Sequence, residues 1–275
     1  MGSSTITLSA LAATTGIALA NPFASTLISY DAGSNPTVGY SDALTALGSP
    51  ERFTGEGIFP GGVTPFNPSW GTDELVSIGS GGHLTLGFDA EITNSASNAF
   101  GIDLIVFSNS GFIDTSWSDA DPSNDGSGLV GPNPSIFGAG GEATIQISSD
   151  GSSWHTASIT ALDLFPTLGY SDFDLPTPGS IGLIESNFTQ AMDPSILLSD
   201  FADLSFVDLV SLYNGSGGGI GIDIASTGLD SASFVRFLNE SGQAFEVDGV
   251  AVVPSPSAFL LLTFGSLAAS RRRRA

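Results

Sequence analysis

The side chains best suited to chemistry lie in an acidic loop between Asp114 and Asn133. Four carboxylate or amide side chains fall within seven residues of this loop: Asp119, Asp121, Asn124 and Asp125. Calcium takes about six to eight oxygen ligands in flexible geometry, so the spacing predicts a Ca²⁺ site. The spacing differs from that of an EF-hand, and a solvated acidic loop is the alternative interpretation. Asp172 and Asp174 form a second, weaker acidic pair.

Two tryptophans are candidates for binding a sugar. Trp117 lies beside the acidic residues of this loop, and Trp70 lies in a segment rich in Pro, Gly and Asn. An exposed aromatic ring near hydrogen-bonding carboxylates can stack on a sugar ring, whereas a buried ring is the alternative for each residue. Trp154 follows a turn signal and is predicted to belong to the core.

Arg236 is the third candidate ligand-binding residue. It alternates with Val235 and Phe237, so its side chain is expected to point away from the core. Only one other arginine, Arg52, and no lysine lies between residues 21 and 252. We therefore expect Arg236 to pair with a surface carboxylate, and ligand binding is the alternative.

The residues needed for nucleophilic or zinc catalysis are missing from the sequence. There is no cysteine, no G-x-S-x-G motif, and the two histidines, His83 and His155, stand alone on different predicted strands. The glycine run from Gly217 to Gly221 lacks the lysine of a phosphate loop and is predicted to be a flexible turn. A pair of carboxylates could serve glycoside hydrolysis, but acids are so frequent that their presence carries little information.

The charge of the chain excludes several partners. Residues 21–252, here called the body, contain all 28 acidic residues and two of the six basic ones, a formal net charge of 2 − 28 = −26. Such a body repels DNA, RNA and anionic lipid headgroups, so nucleic-acid binding is not expected. The apolar content of 41% and the 19 phenylalanines argue for a packed core rather than disorder.

The body has the pattern of an all-β domain. Short alternating runs are separated by Gly, Ser, Asn, Asp and Pro every 8 to 12 residues, which is typical of a sandwich or barrel. A tight type I′ hairpin is predicted at Asp150-Gly151, and a short helix from Asp193-Pro194 to about Asp203. The predicted strands are Thr26–Tyr30, Glu74–Ile78, His83–Phe88, Ile102–Ser108, Ala143–Ser148, Ser153–Ile159, Leu204–Tyr213, Ser233–Leu238 and Ala244–Val253.

Both ends of the chain look like targeting signals. Residues 1–20, the export segment, contain the uncharged run Ile6–Ala20 and end in Ala18-Leu19-Ala20, an A-x-A cleavage signal before Asn21. Residues 253–275, the sorting segment, begin with Val253-Pro254-Ser255-Pro256. An apolar run follows at Ala258–Ala269, predicted to be a short membrane helix, and then Arg271, Arg272, Arg273 and Arg274. Basic residues after an apolar segment favour the cytoplasmic side of a membrane, which places the body outside.

The order of these three parts resembles the PEP-CTERM sorting signal of exported bacterial proteins, with Ser255 where that family has Glu. The resemblance implies processing by an exosortase-like enzyme, transient membrane anchoring, and delivery to the cell envelope, cell surface or extracellular matrix. The segments YSDALTALGSPERFTGEG, VSIGSGGHLTLGFDAEI and FGIDLIVFSNSGF also look like those of exported proteins that carry this tail.

Three segments resemble the galactose-binding-like (discoidin-like) jelly roll: GGHLTLGF from Gly81, IQISSDGSSW from Ile145, and SFVRFL from Ser233 leading into FEVDGVAV. The resemblance implies a β-sandwich, and structural Ca²⁺ is frequent in that fold. Taken together, we expect a non-enzymatic exported surface or matrix protein with one jelly-roll domain, contacting extracellular polysaccharide and binding Ca²⁺. A purely structural surface protein and a secreted polysaccharide hydrolase are the alternatives.

Overall fold

The computed structural model describes residues 20–55, 60–116, 127–138, 143–157, 164–174, 179, 181–240 and 242–255. These residues form mostly β-strands in several antiparallel sheets, with few helices, which confirms the predicted all-β class. The strands are β1 Thr26–Asp31, β2 Phe53–Thr54, β3 Gly61–Gly62, β4 Val76–Ile78, β5 His83–Thr93, β6 Leu104–Phe107, β7 Gly111–Phe112, β8 Ile136–Phe137, β9 Ala143–Ser148, β10 His155–Thr156, β11 Ile220–Ile222, β12 Ser231–Asn239, β13 Phe245–Val247 and β14 Gly249–Val252.

The largest sheet has the strand order β1-β5-β12-β9-β10 and is antiparallel throughout. Along its strands, side chains that face the core alternate with side chains that face away from it, because successive side chains of a strand point to opposite faces. Leu86 of β5, Val235 of β12 and Ile147 of β9 share one register and are fully buried. The opposite side, which carries Arg236 and Gln146, is called the outer face.

A second sheet, β11-β6-β14, supplies the other half of the same core. Its strands read as continuous apolar runs because both of their faces are buried. One hydrophobic cluster contains side chains from both sheets: Leu84, Leu86, Val235, Phe237, Leu104, Val106, Ile220, Ile222, Val250 and Val252. Shared burial between the two sheets is therefore the main source of hydrophobic stabilisation.

One predicted strand is wrong. Residues 204–213 contain the α-helix α1, Phe206–Tyr213, rather than a strand. Its buried side chains are Phe206, Leu209, Val210 and Tyr213, the spacing of one helical face. Ser205 caps the helix by accepting a hydrogen bond from the Asp208 N–H. The helix predicted from Asp193 is reduced to a 3₁₀ turn at Leu198–Phe201; further 3₁₀ turns occur at Ala43–Ala46, Ala99–Gly101 and Ile224–Thr227.

Each of the other predicted strands overlaps a described strand. Of Ser153–Ile159, only His155–Thr156 is a strand, and residues 158 and 159 lie outside the described residues. The strand predicted over Ala244–Val253 is interrupted at Asp248, because β13 pairs with β4 while β14 pairs with β6. The turn at Asp150-Gly151 does join two antiparallel strands, but only Gly151 has a positive φ, +71°. A type I′ turn needs a positive φ at both central residues, so this turn is not type I′. The Asp150 carboxylate accepts hydrogen bonds from the N–H groups of Ser152 and Ser153.

The glycine run before β11 is tightly packed rather than an open, flexible turn. A Cβ on Gly218, whose φ is +80°, would lie 2.4 Å from the Pro166 carbonyl oxygen. A Cβ on Gly219, with φ +84°, would lie 2.6 Å from the Ile105 Cγ2 atom. Both positions require glycine, because the backbone there is left-handed and a Cβ atom would collide with a neighbouring segment of the same chain.

None of the helices in the described residues reaches the length and hydropathy needed to cross a membrane. The export segment up to residue 19 and the apolar run and arginines of the sorting segment lie outside the described residues.

Candidate functional site

The predicted calcium ligands Asp119, Asp121, Asn124 and Asp125 lie outside the described residues, as does Trp117. The base of their loop is described. Asp114 accepts hydrogen bonds from the N–H groups of Ser116, Gly128 and Leu129, which joins the two ends of the loop. In the described ranges, no group of three His, Asp or Glu side chains is arranged to hold a metal ion. The calcium site in the acidic loop stays a prediction.

Asp172, from the second predicted acidic pair, is engaged by its own loop. Its carboxylate accepts hydrogen bonds from the N–H groups of Leu183 and Ile184 at 2.9–3.0 Å. These donors, the Ile184 N–H foremost, hold the pKa of Asp172 below its usual value. The carboxylate therefore fixes the 181–184 segment, and this contact explains its position without a ligand.

Trp70 is half-buried, and its backbone makes its hydrogen bonds. The Trp70 N–H donates to the Glu74 carboxylate at 2.9 Å, and its carbonyl accepts from the Tyr40 hydroxyl at 2.5 Å. These contacts fix the turn around Glu74. Trp70 and Arg236 are the two predicted ligand-binding residues that the structure describes, and within the described residues they share no hydrogen-bond partner and no ring contact.

Arg236 lies on the outer face as predicted, but its partner is different. Its Nε and Nη2 atoms both donate to the Gln146 amide oxygen, at 3.0 and 2.5 Å. Its guanidinium carbon lies 4.1 Å from the centre of the Trp154 ring, within cation–π distance. In the described part of the chain no carboxylate is within ion-pair distance of Arg236, so the expected carboxylate partner is replaced by an amide and an aromatic ring.

Trp154 was predicted to be core, but it is only half-buried and lies directly before β10. It lies one residue before His155, whose register partner is the inward-facing Ile147. Since side chains alternate along a strand, Trp154 points to the outer face and meets Arg236 there. Alternation across the Ser153–Thr156 segment is the signal that could have placed it.

Arg52, the other arginine of the body, has a structural role. Its Nε atom lies 3.5 Å from a Glu185 carboxylate oxygen, and its Nη1 atom donates to the Gly169 carbonyl. The guanidinium carbon also lies 3.9 Å from the centre of the Phe188 ring. Arg52 therefore ties two loops together and leaves Arg236 as the cation of the outer face.

The register of the large sheet aligns five polar side chains across all of its strands. Ser29 pairs with Thr85, Thr85 with Arg236, Arg236 with Gln146, and Gln146 with Thr156. Directly paired residues in antiparallel strands project from the same face. We call this set the transverse row; its members can donate and accept hydrogen bonds from hydroxyl, amide and guanidinium groups.

Two buried carboxylates, which the sequence analysis did not single out, lie at one end of the core. Asp248 is 1% exposed and accepts hydrogen bonds from the Glu51 N–H and the Ser69 hydroxyl. Burial raises the pKa of Asp248 to about 7, and the negative charges of Glu51 and Glu74 add to this rise. The carboxyl group therefore carries a proton over much of the acidic range.

Glu74, 5% exposed, is the second buried carboxylate. Its Oε2 atom accepts from the Thr54 hydroxyl and from the N–H groups of Trp70 and Gly71, at 2.6–2.9 Å. Its Oε1 atom has no hydrogen-bond donor in the described part of the chain. A Cβ on Gly71 would approach this oxygen to 2.7 Å, so glycine permits the close packing of the carboxylate.

The two termini of the body lie side by side. The Val252 N–H donates to the Pro22 carbonyl at 2.7 Å, and the Ala24 N–H donates to the Val250 carbonyl at 3.0 Å. Phe23 forms an antiparallel bridge with Ala251. A cavity of about 200 Å³ lies where the two ends of the body meet. Its lining includes Ala20, Pro22, Glu91, Val253, Pro254 and Ser255.

No protein-family model matches this chain, and no curated protein matches it.

Stability is predicted to fall as the pH rises from about 4 to about 7. The pKa of Asp248 is about 7 in the folded chain, against an ordinary value of 3.8, so the folded state binds this proton more tightly. Its contribution is complete below about pH 4 and is lost as the pH rises to 7, with a limiting slope of about 1.4 kcal/mol per pH unit. Urea denaturation of the protein and of Asp248→Asn, at pH values from 4 to 8, should show a flatter slope in the variant.

Asp89→Asn is the matched control, because Asp89 is an exposed carboxylate on β5. This variant should keep the slope of the unmodified protein. Burial also raises the pKa of Asp103, so a residual slope of the same sign is expected in Asp248→Asn. Equal slopes in the protein and in Asp248→Asn would contradict the assignment of the proton to Asp248.

Proposed function

We propose that this chain is an exported, non-enzymatic protein of the cell surface or extracellular matrix that contacts polysaccharide through the outer face of its large sheet. The observation that carries the proposal is the arrangement of Arg236, Gln146 and Trp154. A guanidinium group is held over an aromatic ring by a neutral amide, on a face without an ion-paired carboxylate among the described residues. An aromatic ring with adjacent hydrogen-bond donors suits a sugar better than it suits an apolar partner.

The adjacent termini support the proposed export and sorting signals. Cleavage after Ala20 would leave Asn21 at the edge where the sorting segment begins with Val253. Two membrane-directed segments would therefore leave the body from one side. An anchor at either end would hold the outer face in the same orientation relative to the membrane.

We further propose that the body is a jelly-roll β-sandwich of the galactose-binding-like type. The hydrophobic cluster shared by the five-stranded sheet and the β11-β6-β14 sheet supports two packed layers. Of the segments that carry the sequence resemblance, GGHLTLGF, IQIS and SFVRFL fall on β5, β9 and β12, which are neighbours in one sheet. FEVDGVAV falls on β13 and β14, which pair with β4 and β6.

Processing at both ends is the first expected outcome. In a bacterium that has a signal-peptide export pathway and an exosortase-like enzyme, fractionation followed by mass spectrometry should find the protein in the envelope or medium. Its N-terminus should be Asn21, and Arg271–Arg274 should be absent. Replacing all four arginines by Gln should leave the tail unprocessed, because the basic block orients the segment in the membrane; replacement of all four by Lys is the charge-matched control. An intact chain in the cytoplasm would contradict the proposed export.

Polysaccharide binding without turnover is the second expected outcome. Isothermal titration against neutral and acidic polysaccharides, with CaCl₂ and with EDTA, should detect binding of at least one polymer and no release of reducing ends. Trp154→Ala should weaken this binding by about tenfold, equivalent to about 1.4 kcal/mol, because it removes the ring and the support of Arg236. The EDTA arm reports whether Ca²⁺ contributes.

Phe100→Ala serves as the control, since Phe100 is an aromatic residue that is 53% exposed in a 3₁₀ turn outside the large sheet. Its affinity should equal that of the unmodified protein. Absence of binding to every polymer would favour the purely structural alternative. Release of reducing ends would favour the hydrolase.

A further inference from the structure

The transverse row crosses the full width of the large sheet. Its five side chains come from β1, β5, β12, β9 and β10, one from each strand, in a continuous register. Neighbouring strands are about 4.8 Å apart, so the row extends over about 19 Å. This length is several times the width of one sugar ring.

The row presents its polar groups at different depths. Thr156 is exposed, and Ser29, Arg236 and Gln146 are half-buried. Thr85, 3% exposed, forms the floor between Ser29 and Arg236. The accessible groups are therefore distributed along the row and reach both of its ends, rather than being gathered in one pocket.

The charge of the body restricts what can lie along this row. A formal net charge of −26 disfavours a polyanion, whose repeated charges would each be repelled. The row itself has one cation, Arg236, which donates hydrogen bonds to the neutral amide of Gln146. Among the described residues, no carboxylate lies within ion-pair distance of Arg236. Hydroxyl groups, which both donate and accept hydrogen bonds, complement this mixture of amide, guanidinium and hydroxyl groups.

We propose that the transverse row binds an extended, uncharged polysaccharide chain that lies across the five strands. The inference rests on the proposed polysaccharide contact and specifies its ligand as several consecutive neutral sugar units. A monosaccharide or a chain end would contact only the part of the row around Arg236 and Trp154. Several consecutive units would also reach Ser29 at one end and Thr156 at the other.

A ladder of chain lengths tests the inference on the whole processed protein. The probes are oligosaccharides of one, two, four and six units from cellulose, xylan, mannan, laminarin and dextran, with oligogalacturonates of the same lengths as charged counterparts. For the neutral series that binds, affinity should rise at least tenfold from two units to four and change less than twofold from four to six. The oligogalacturonates should bind at least tenfold more weakly than that series.

Variants at the two ends of the row separate a long site from a local one. Ser29→Ala and Thr156→Ala should each weaken the six-unit probe by about fivefold, the effect of one neutral hydrogen bond, and leave the two-unit probe unchanged. Thr93→Ala, an exposed threonine at the far end of β5, should change neither affinity.

The outcomes distinguish this inference from the function on which it rests. Equal affinity for one-unit and six-unit probes, or tighter binding of oligogalacturonates, would overturn the extended neutral ligand while leaving polysaccharide contact in place. No binding by any probe or polymer would remove the proposed contact itself. The comparison of probe lengths uses the unmodified protein, so it does not depend on the folding of any variant.

Discussion

The structure depends on how a body with 28 acidic and two basic residues satisfies its carboxylates. Two basic residues cannot form ion pairs with most of these carboxylates, and the described residues contain one ion pair, between Arg52 and Glu185. Carboxylates instead accept hydrogen bonds from backbone N–H groups and hydroxyls. Asp103, fully buried, accepts from the N–H groups of Ser95 and Ile224, and Asp114 joins the ends of its loop in the same way. Hydrogen bonds to a charged acceptor are stronger than those between neutral groups, so each such carboxylate can fix a turn.

This constraint links composition, core and surface. Loops rich in Gly, Ser and Asn expose free N–H groups, and aspartate side chains are short enough to accept them locally. Where a carboxylate enters the core, as at Asp248, burial disfavours its charge and raises its pKa, so that a proton replaces the missing cation. Arg52 pairs with Glu185 in the loops, so Arg236 is the arginine of the outer face, where it contacts Gln146 and Trp154. The proposed ligand is neutral because the net negative charge of the body repels polyanions, and the same charge disfavours nucleic acid.

The sequence predicted most of the sheet because alternation is a local signal: Ala143–Ser148 was located to the residue, and Ser233–Leu238 lies within β12. The helix α1 was missed because Leu204, Phe206 and Val210 also suit a strand. The spacing Ser205-x-x-Asp208, which caps that helix, was the available signal.

The candidate site was less predictable because its contacts are non-local. Arg236 was placed correctly on the outer face, but Gln146 is 90 residues away, and only the pairing of β9 with β12 makes it the partner. The buried pair Glu74 and Asp248 was not foreseen either, since burial of an acid inside an apolar run depends on which segments pack over it. The acidic loop and the arginine tail lie outside the described residues and stay predictions.

The free energy of unfolding measured against NaCl concentration, in EDTA at constant pH, shows whether hydrogen bonds or ion pairs hold the carboxylates of the fold. If donors of the backbone and hydroxyls hold the carboxylates, salt has few ion pairs to weaken and mainly screens the repulsion among the acidic residues. Raising NaCl from about 0.05 M to about 0.5 M shortens the screening length from roughly 14 Å to roughly 4 Å, so we expect a steady increase in the free energy of unfolding. A decrease over this range would show instead that ion pairs dominate the electrostatics of the fold.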